Sequence, residues 1–214
     1  FSLTNFTVGT ALSKTEVVQV VILEALLLGE SVSGRALIAI LIAFCGVMVM
    51  VMGKSHLSLA RLAGSLGQKT TLIGLACGLA LGLSSVMFRG AVLSLDQGGL
   101  LLRSAYALAV ALAVQSLVLL AWLRLFQPGQ ISQTTRHWPT CLGVGFAGWA
   151  ASVCWFIAFA LTHAAYIRAL GQIELVFTFL VSVFLFREKV SRTEITGVIL
   201  LSGAIVLLVL GKAP

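Results

Sequence analysis

Residues 160–188 read ALTHAAYIRALGQIELVFTFLVSVFLFRE, an apolar run of spanning length with Arg168 and Glu174 set near its middle. Residues 2–30, SLTNFTVGTALSKTEVVQVVILEALLLGE, carry the same plan, with Lys14 and Glu16 at the corresponding depth. Shifting residues 2–54 by 158 lays them on residues 160–212 without a gap, pairing Glu16 with Glu174, Glu30 with Glu188, Ser33 with Ser191, Gly53 with Gly211 and Lys54 with Lys212. Apolar matches come easily in a chain like this one. Two glutamates and a lysine in register, among only 7 acidic residues, do not. The chain therefore contains an internal repeat, and each copy holds charge where a membrane helix should have none.

Composition fixes the solvent. Of 214 residues, 59% are hydrophobic and only 10% are charged, with a mean hydropathy of +1.09. Soluble domains carry about 25% charged residues, and a surface so poor in charge cannot be dissolved by water. The 14 Lys and Arg are scattered between apolar runs instead of forming a patch, which excludes a nucleic-acid binder despite the net charge of +7. A disordered chain and a secreted disulfide scaffold are excluded too. Cys45, Cys77, Cys141 and Cys154 lie inside apolar stretches without CxxC spacing and read as small buried hydrophobes. No secretory leader is expected, because no basic segment or cleavage site precedes the first apolar run.

A helix needs about 20 apolar residues to cross a bilayer. Ala36 to Met52, Thr70 to Phe88, Ser104 to Leu123, Trp138 to Thr162 and Ile195 to Leu210 supply five spans free of Asp, Glu, Lys and Arg. Asn5 to Leu28, with Lys14, Glu16 and Glu24, and His163 to Phe186, with Arg168 and Glu174, supply two more with a polar interior face. Connections are short, the longest being Gly53 to Lys69 and Phe126 to His137. Ser191 followed by Glu194 predicts a capping box, and Gly74, Gly78 and Gly82 recur on one helix face as a packing stripe. Trp122 and Trp138, at span ends, read as interfacial anchors.

The expected fold is all-α, a polytopic membrane helix bundle. Residues 1–54 form the end of a first repeat with two helices, 55–69 a connecting loop and 70–214 a complete second repeat with five helices. Carrying the second repeat's spans back by the same offset places three further helices before Phe1, so seven helices of ten are expected here. An odd number of spans per copy turns the second copy over, which gives two inverted five-helix repeats.

The stretch Ala160-Leu-Thr-His-Ala-Ala-Tyr-Ile-Arg-Ala-Leu-Gly-Gln-Ile-Glu-Leu-Val-Phe177, running on to Phe186-Arg-Glu188 and the helix of Gly197 and Gly203, resembles the EamA-type drug/metabolite transporter superfamily. Thr10-Ala-Leu-Ser-Lys-Thr-Glu-Val-Val-Gln19 with Leu28-Gly-Glu30 is similar to the fourth helix of that family. The resemblance implies ten helices in two inverted units around a cavity that opens alternately to each side. It sets the class and leaves the cargo open. Charge counting and family pattern point opposite ways on orientation. Lys54, Arg61, Lys69, Arg124, Arg136, Arg187, Lys189 and Arg192 gather on one surface against Arg35, Arg103 and Lys212 on the other, whereas the family pattern implies cytoplasmic ends.

A charge at mid-bilayer costs about 2.5–3.5 kcal/mol on insertion scales, so Lys14, Glu16, Arg168, Gln172 and Glu174 face either a cavity or a partner. For Glu16 and Glu174 two roles stand side by side, a proton-exchanging or substrate-orienting carboxylate and a member of a buried ion pair. If the repeat axis brings the two helices together, a base of one copy should meet the carboxylate of the other. Trp149, Ser152 and Phe156 share one face of the span from Trp138, either as lipid contacts and packing or as cavity lining. His56, His137 and His163 lie at or beyond helix ends without ligand spacing, so no metal site is expected, and no nucleophile elbow or phosphate loop suggests an enzyme or a cofactor. The expected function is export of small metabolites or drugs across the plasma (inner) membrane by alternating access. A proton is the candidate coupling ion, and the lipid bilayer and a small-molecule substrate are the partners, with a homodimer as candidate assembly. The alternative is a non-transporting scaffold subunit or a membrane enzyme.

Overall fold

The computed structural model describes residues 3–55, 68–127, 129–188 and 190–211, all in helices and their connections with no strand among them. Most of the expected loop at 55–69, including His56 and Arg61, lies outside the described residues, as do Pro128, Lys189 and Lys212. The helices are α1 (Leu3–Ser13), α2 (Glu16–Leu27), α3 (Gly34–Ser55), α4 (Lys69–Leu93), α5 (Leu100–Phe126), α6 (Gln130–Arg136), α7 (Trp138–Leu161), α8 (Ala164–Gly171), α9 (Ile173–Phe184) and α10 (Arg192–Leu210). Six stretches are long and apolar enough to cross a membrane: Gly34–Gly53, α4, α5, α7, α8 together with α9, and α10. The chain is a polytopic helical bundle. It divides into two compact units, residues 1–87 with 163–214 and residues 88–162.

In the first unit both charged spans are broken, and at matched places. The two spans read from the sequence as continuous helices are each two half-helices. α1 stops at Ser13 and α2 starts at Glu16, while α8 stops at Gly171 and α9 starts at Ile173. The cause in the first copy is a run of short hydroxyl side chains that bond backward. Ser13 Oγ donates to Thr10 O at 2.8 Å and Thr15 Oγ1 to Leu12 O at 2.6 Å, while the amides of Lys14 and Thr15 bond three residues back instead of four. In the second copy Gly171, a weak helix former, precedes Gln172, whose amide also bonds three residues back, to Ala169 O. Lys14 and Gln172 are equivalent under the repeat.

The ends of the broken spans repeat as well. Gly29 has φ +67° and its equivalent Arg187 has φ +52°, the single positive-φ residue other than glycine among the described residues. Tight turns at Gly29-Glu30 and Arg187-Glu188 are thus present in both copies. Arg187 pays a conformational cost that Gly29 does not, and the turn is held there by Glu188 N bonding Ser182 O at 3.1 Å and by Ser182 Oγ donating to the Glu188 carboxylate. Ser33 Oγ then accepts from Ala36 N, and Ser191 Oγ from Glu194 N, with Glu194 closing the expected capping box.

Equivalent helices run antiparallel. The end of α3 at Gly53 stands against Ser191 and Glu194 at the start of α10, and the start of α3 at Ser33 and Ala36 shares a cleft with Leu207, Leu208 and Gly211 at its end. Their crossing is very close. A Cβ at Gly46 would lie 2.7 Å from Leu201 N, and one at Gly197 would lie 2.6 Å from Met50 N. Ala43, Val47, Leu201 and Ala204 fill the crossing. The stripe Gly74, Gly78 and Gly82 of α4 packs as expected, against Gly9, Ser13 and Val20 on the two sides of the first break.

In the second unit the end of α4, α5 and α7 pack through Val92, Ala107, Leu108 and Phe156, with Phe88 and Phe156 ring centroids 4.6 Å apart. The connection read as a loop from Phe126 to His137 contains the short helix α6. All four cysteines are free and exposed on helix surfaces, and are not the buried hydrophobes expected from their apolar neighbours. Trp122 and Trp138 are exposed, as interfacial anchors must be.

The α3–α10 crossing is directly testable. Gly197→Ala places a methyl against backbone that cannot move without separating the helices, and should destabilise by about 1–3 kcal/mol. Gly203→Ala on the same helix meets nothing within 4 Å and should be neutral. Thermal unfolding of the two variants in detergent, followed by size-exclusion fluorescence, separates them.

Candidate functional site

The two helix breaks bring the mid-depth charges together. Each break leaves a helix C-terminus, which favours cations, facing a helix N-terminus, which favours anions. Arg168 lies in the last turn of α8, and Glu16 and Glu174 lie in the first turns of α2 and α9. The charges then neutralise across the repeat. Arg168 Nη2 donates to Glu16 Oε2, and Lys14 Nζ lies 3.1 Å from Glu174 Oε1. Gln172 Nε2 donates to the other Glu16 oxygen at 3.4 Å. Since Lys14 matches Gln172 and Glu16 matches Glu174, the contacts Lys14–Glu174 and Gln172–Glu16 are one contact made twice by symmetry.

The two carboxylates nevertheless differ. Glu16 and Arg168 side chains are 5% and 18% exposed, a pair closed off within its unit, whereas Glu174 is 62% exposed and Lys14 20%. Glu16 is held by Arg168 and Gln172, and Glu174 has one cationic partner and an open side. Gln172 itself is buried, and its carbonyl oxygen Oε1 makes no hydrogen bond among the described residues. An open carboxylate, a lysine and an unmatched amide oxygen thus line one break, suited to exchange a proton or to bind a polar group.

Trp149, Ser152 and Phe156 belong to the second unit. Trp149 is half exposed beside Phe146, Ser152 spends its hydroxyl on Gly148 O at 2.9 Å, and Phe156 is buried in the α5–α7 packing. Phe156 therefore occupies a packing position.

Two groups of residues escaped the sequence reading. Glu24, fully buried, accepts Ala164 N at 2.7 Å and Ala165 N at 3.2 Å and so caps α8 from a different helix. Beside it, His163 Nδ1 lies 3.4 Å from Glu24 Oε1 and 3.3 Å from Glu30 Oε2. The spacing in sequence concealed this cluster, because its members are contributed by segments far apart in the chain. In the second unit Arg89, buried, donates from Nη1 to Phe159 O at 2.7 Å and Thr162 O at 2.6 Å, satisfying carbonyls at the end of α7. Its place at the end of an apolar run was the available signal.

Residues 68–210 match the EamA-like transporter family. Neither the curated proteins nor the solved structures offer a match to the chain.

The unequal burial of the two cross-repeat pairs gives an unequal cost of breaking them. Glu16→Gln leaves Arg168 charged and shut in, and should lower stability by about 3–5 kcal/mol, with part of the loss recovered in Glu16→Gln/Arg168→Gln. Glu174→Gln breaks an open pair and should change stability by no more than about 1 kcal/mol. Yield of folded protein and midpoint of thermal unfolding, measured for all three, test this ordering.

Proposed function

The chain belongs to the EamA-like transporter family, and from that membership we propose that it exports small metabolites or drugs across the plasma membrane by alternating access, with proton exchange at Glu174 as the coupling step. Members of this family are transporters, and a multi-pass helical bundle is the architecture such work requires. The observation that carries the finer reading is the pair of matched helix breaks. Discontinuous helices put backbone ends and polar side chains at mid-membrane depth, where secondary transporters hold substrates and coupling ions.

In this reading residues 1–54 and 70–214 belong to two inverted repeats. The antiparallel course of α3 and α10 supports it, as does the family match over 68–210. Arg168, Glu16 and Gln172 position the two breaks against each other. Lys14 and Glu174 form the exchangeable pair. When Glu174 is ionised, Lys14 neutralises it and the breaks are drawn together. When a proton or a cationic substrate group takes the carboxylate, Lys14 is released and its side chain is free for an anionic group. Occupancy of one pair thus biases one arrangement of the half-helices over the other, as a two-state carrier needs.

The test is flux from proteoliposomes loaded with a panel of labelled metabolites and dyes, over a pH series. Glu174→Gln should fold normally, lose about tenfold or more of its flux and lose the pH dependence of what remains, because the titrating group has gone. Full flux with an unchanged pH profile in Glu174→Gln refutes the site. Absence of flux for every compound, with the full-length protein folded, favours the scaffold or enzyme alternative.

A further inference from the structure

We propose that the cavity at the α4–α5 connection binds the headgroup of a membrane phospholipid that carries a primary ammonium, of the phosphatidylethanolamine class, with Arg103 on the phosphate and Asp96 on the ammonium. The inference is independent of the transport reading, since it concerns residues of the second unit and a different measurement. The cavity measures about 540 Å³ and is lined in part by Leu95, Asp96, Gln97, Leu102, Arg103 and Tyr106. That volume falls within the roughly 300–1,000 Å³ of small-ligand sites.

The local sequence builds the cavity. α4 ends at Leu93 and α5 begins at Leu100, so residues 94–99 turn the chain between two spans. Gly98 has φ +93°, and a Cβ there would lie 2.7 Å from Leu102 Cδ2, so the connection rests tightly on the first turn of α5. Arg103 fastens it again, donating from Nη1 to Leu95 O at 3.2 Å. Leu95 O is the one hydrogen-bond partner of the Arg103 side chain among the described residues, although a guanidinium offers five N–H donors. A half-buried cation near the start of a helix, where the backbone end itself attracts anions, calls for an anion. Asp96 does not supply it. Both side chains line the cavity, yet they form no ion pair with each other among the described residues. An acid and a base left apart in one cavity are matched by a ligand that carries both signs.

Depth puts these groups in the order of a lipid. α4 and α5 are both long and apolar enough to span, so their connection lies at a membrane surface. At a rise of 1.5 Å per residue, Arg103 and Tyr106 lie about 4.5 Å and about 9 Å along α5 from its start. In a phospholipid of this class the ammonium ends the headgroup, the phosphate comes next, and the glycerol and acyl chains lie deepest. Asp96 in the connection, Arg103 one turn in and Tyr106 two turns in follow the same order. Tyr106 is 59% exposed and Leu101 and Leu102 are 68% and 64% exposed, which sets an amphipathic ring and apolar side chains where the chains of the lipid begin. A water-borne ligand would leave that apolar margin unused. Asp96 selects among headgroups, because a primary ammonium donates hydrogen bonds to a carboxylate, a trimethylammonium has no N–H to donate, and a glycerol headgroup has no cation.

The probe is phosphatidylethanolamine added to delipidated full-length protein in detergent, with bound lipid read by native mass spectrometry against phosphatidylglycerol and phosphatidylcholine of the same acyl chains. The wild type should retain one phosphatidylethanolamine about tenfold more tightly than either. Asp96→Asn loses no internal partner, so it should keep the wild-type unfolding midpoint and bind phosphatidylethanolamine no better than phosphatidylglycerol. Arg103→Gln should bind all three lipids at least about tenfold more weakly. Arg124→Gln, at the other end of α5, should behave as the wild type. Equal retention of the three lipids by the wild type, a preference that survives in Asp96→Asn, or binding undiminished in Arg103→Gln overturns the site. So does displacement of the lipid by soluble O-phosphoethanolamine at equal concentration, which would make the occupant a water-borne compound.

Discussion

A charge placed at mid-depth in a membrane span must be met there, because lipid offers nothing to solvate it. Most of the first unit follows from that requirement. Lys14, Glu16, Arg168 and Glu174 carry equal numbers of each sign, and the unit is folded so that each meets its opposite on the other copy of the repeat. The helix breaks serve the same end. A continuous helix would offer these groups only side-chain partners, whereas two half-helices add dipole ends of the appropriate sign next to each charge.

Close packing then holds the breaks in register. The glycine stripe of α4 lies along both sides of the first break, so α1 and α2 are kept in line although they are no longer one helix. The crossing of α3 and α10 at Gly46 and Gly197 ties the two copies together where backbone meets backbone. Such contacts tolerate little intermediate displacement, which makes them suitable pivots for a structure with two discrete arrangements.

The repeat was copied in its backbone and diversified in its side chains. Turns, caps and breaks recur at matched positions even where residues differ, as with Gly29 and Arg187 or Lys14 and Gln172. What differs is chemistry. One carboxylate is enclosed by an arginine and a glutamine, the other is left open with a lysine, and Glu24 has no counterpart among the acids of the second copy. A scaffold that is symmetric and a lining that is not are compatible with a carrier whose two halves do different work.

The helical membrane class, the repeat and the residues that needed partners were all legible in the sequence. Each is set by local properties, namely hydropathy over a span, identity under one offset and the rarity of charge. The packing role of Gly74, Gly78 and Gly82 and the Ser191–Glu194 capping box were legible for the same reason, since both depend on spacing within one helix. The breaks at Lys14 and Gln172 were not, because the apolar pattern continues through them and the deciding hydrogen bonds run three residues back instead of four. Nor could the sequence tell that Glu16 would be enclosed and Glu174 open, that the cysteines would face outward, or that His163 would stand between Glu24 and Glu30. Those depend on which faces of distant helices meet, and burial is a property of the neighbour as much as of the residue.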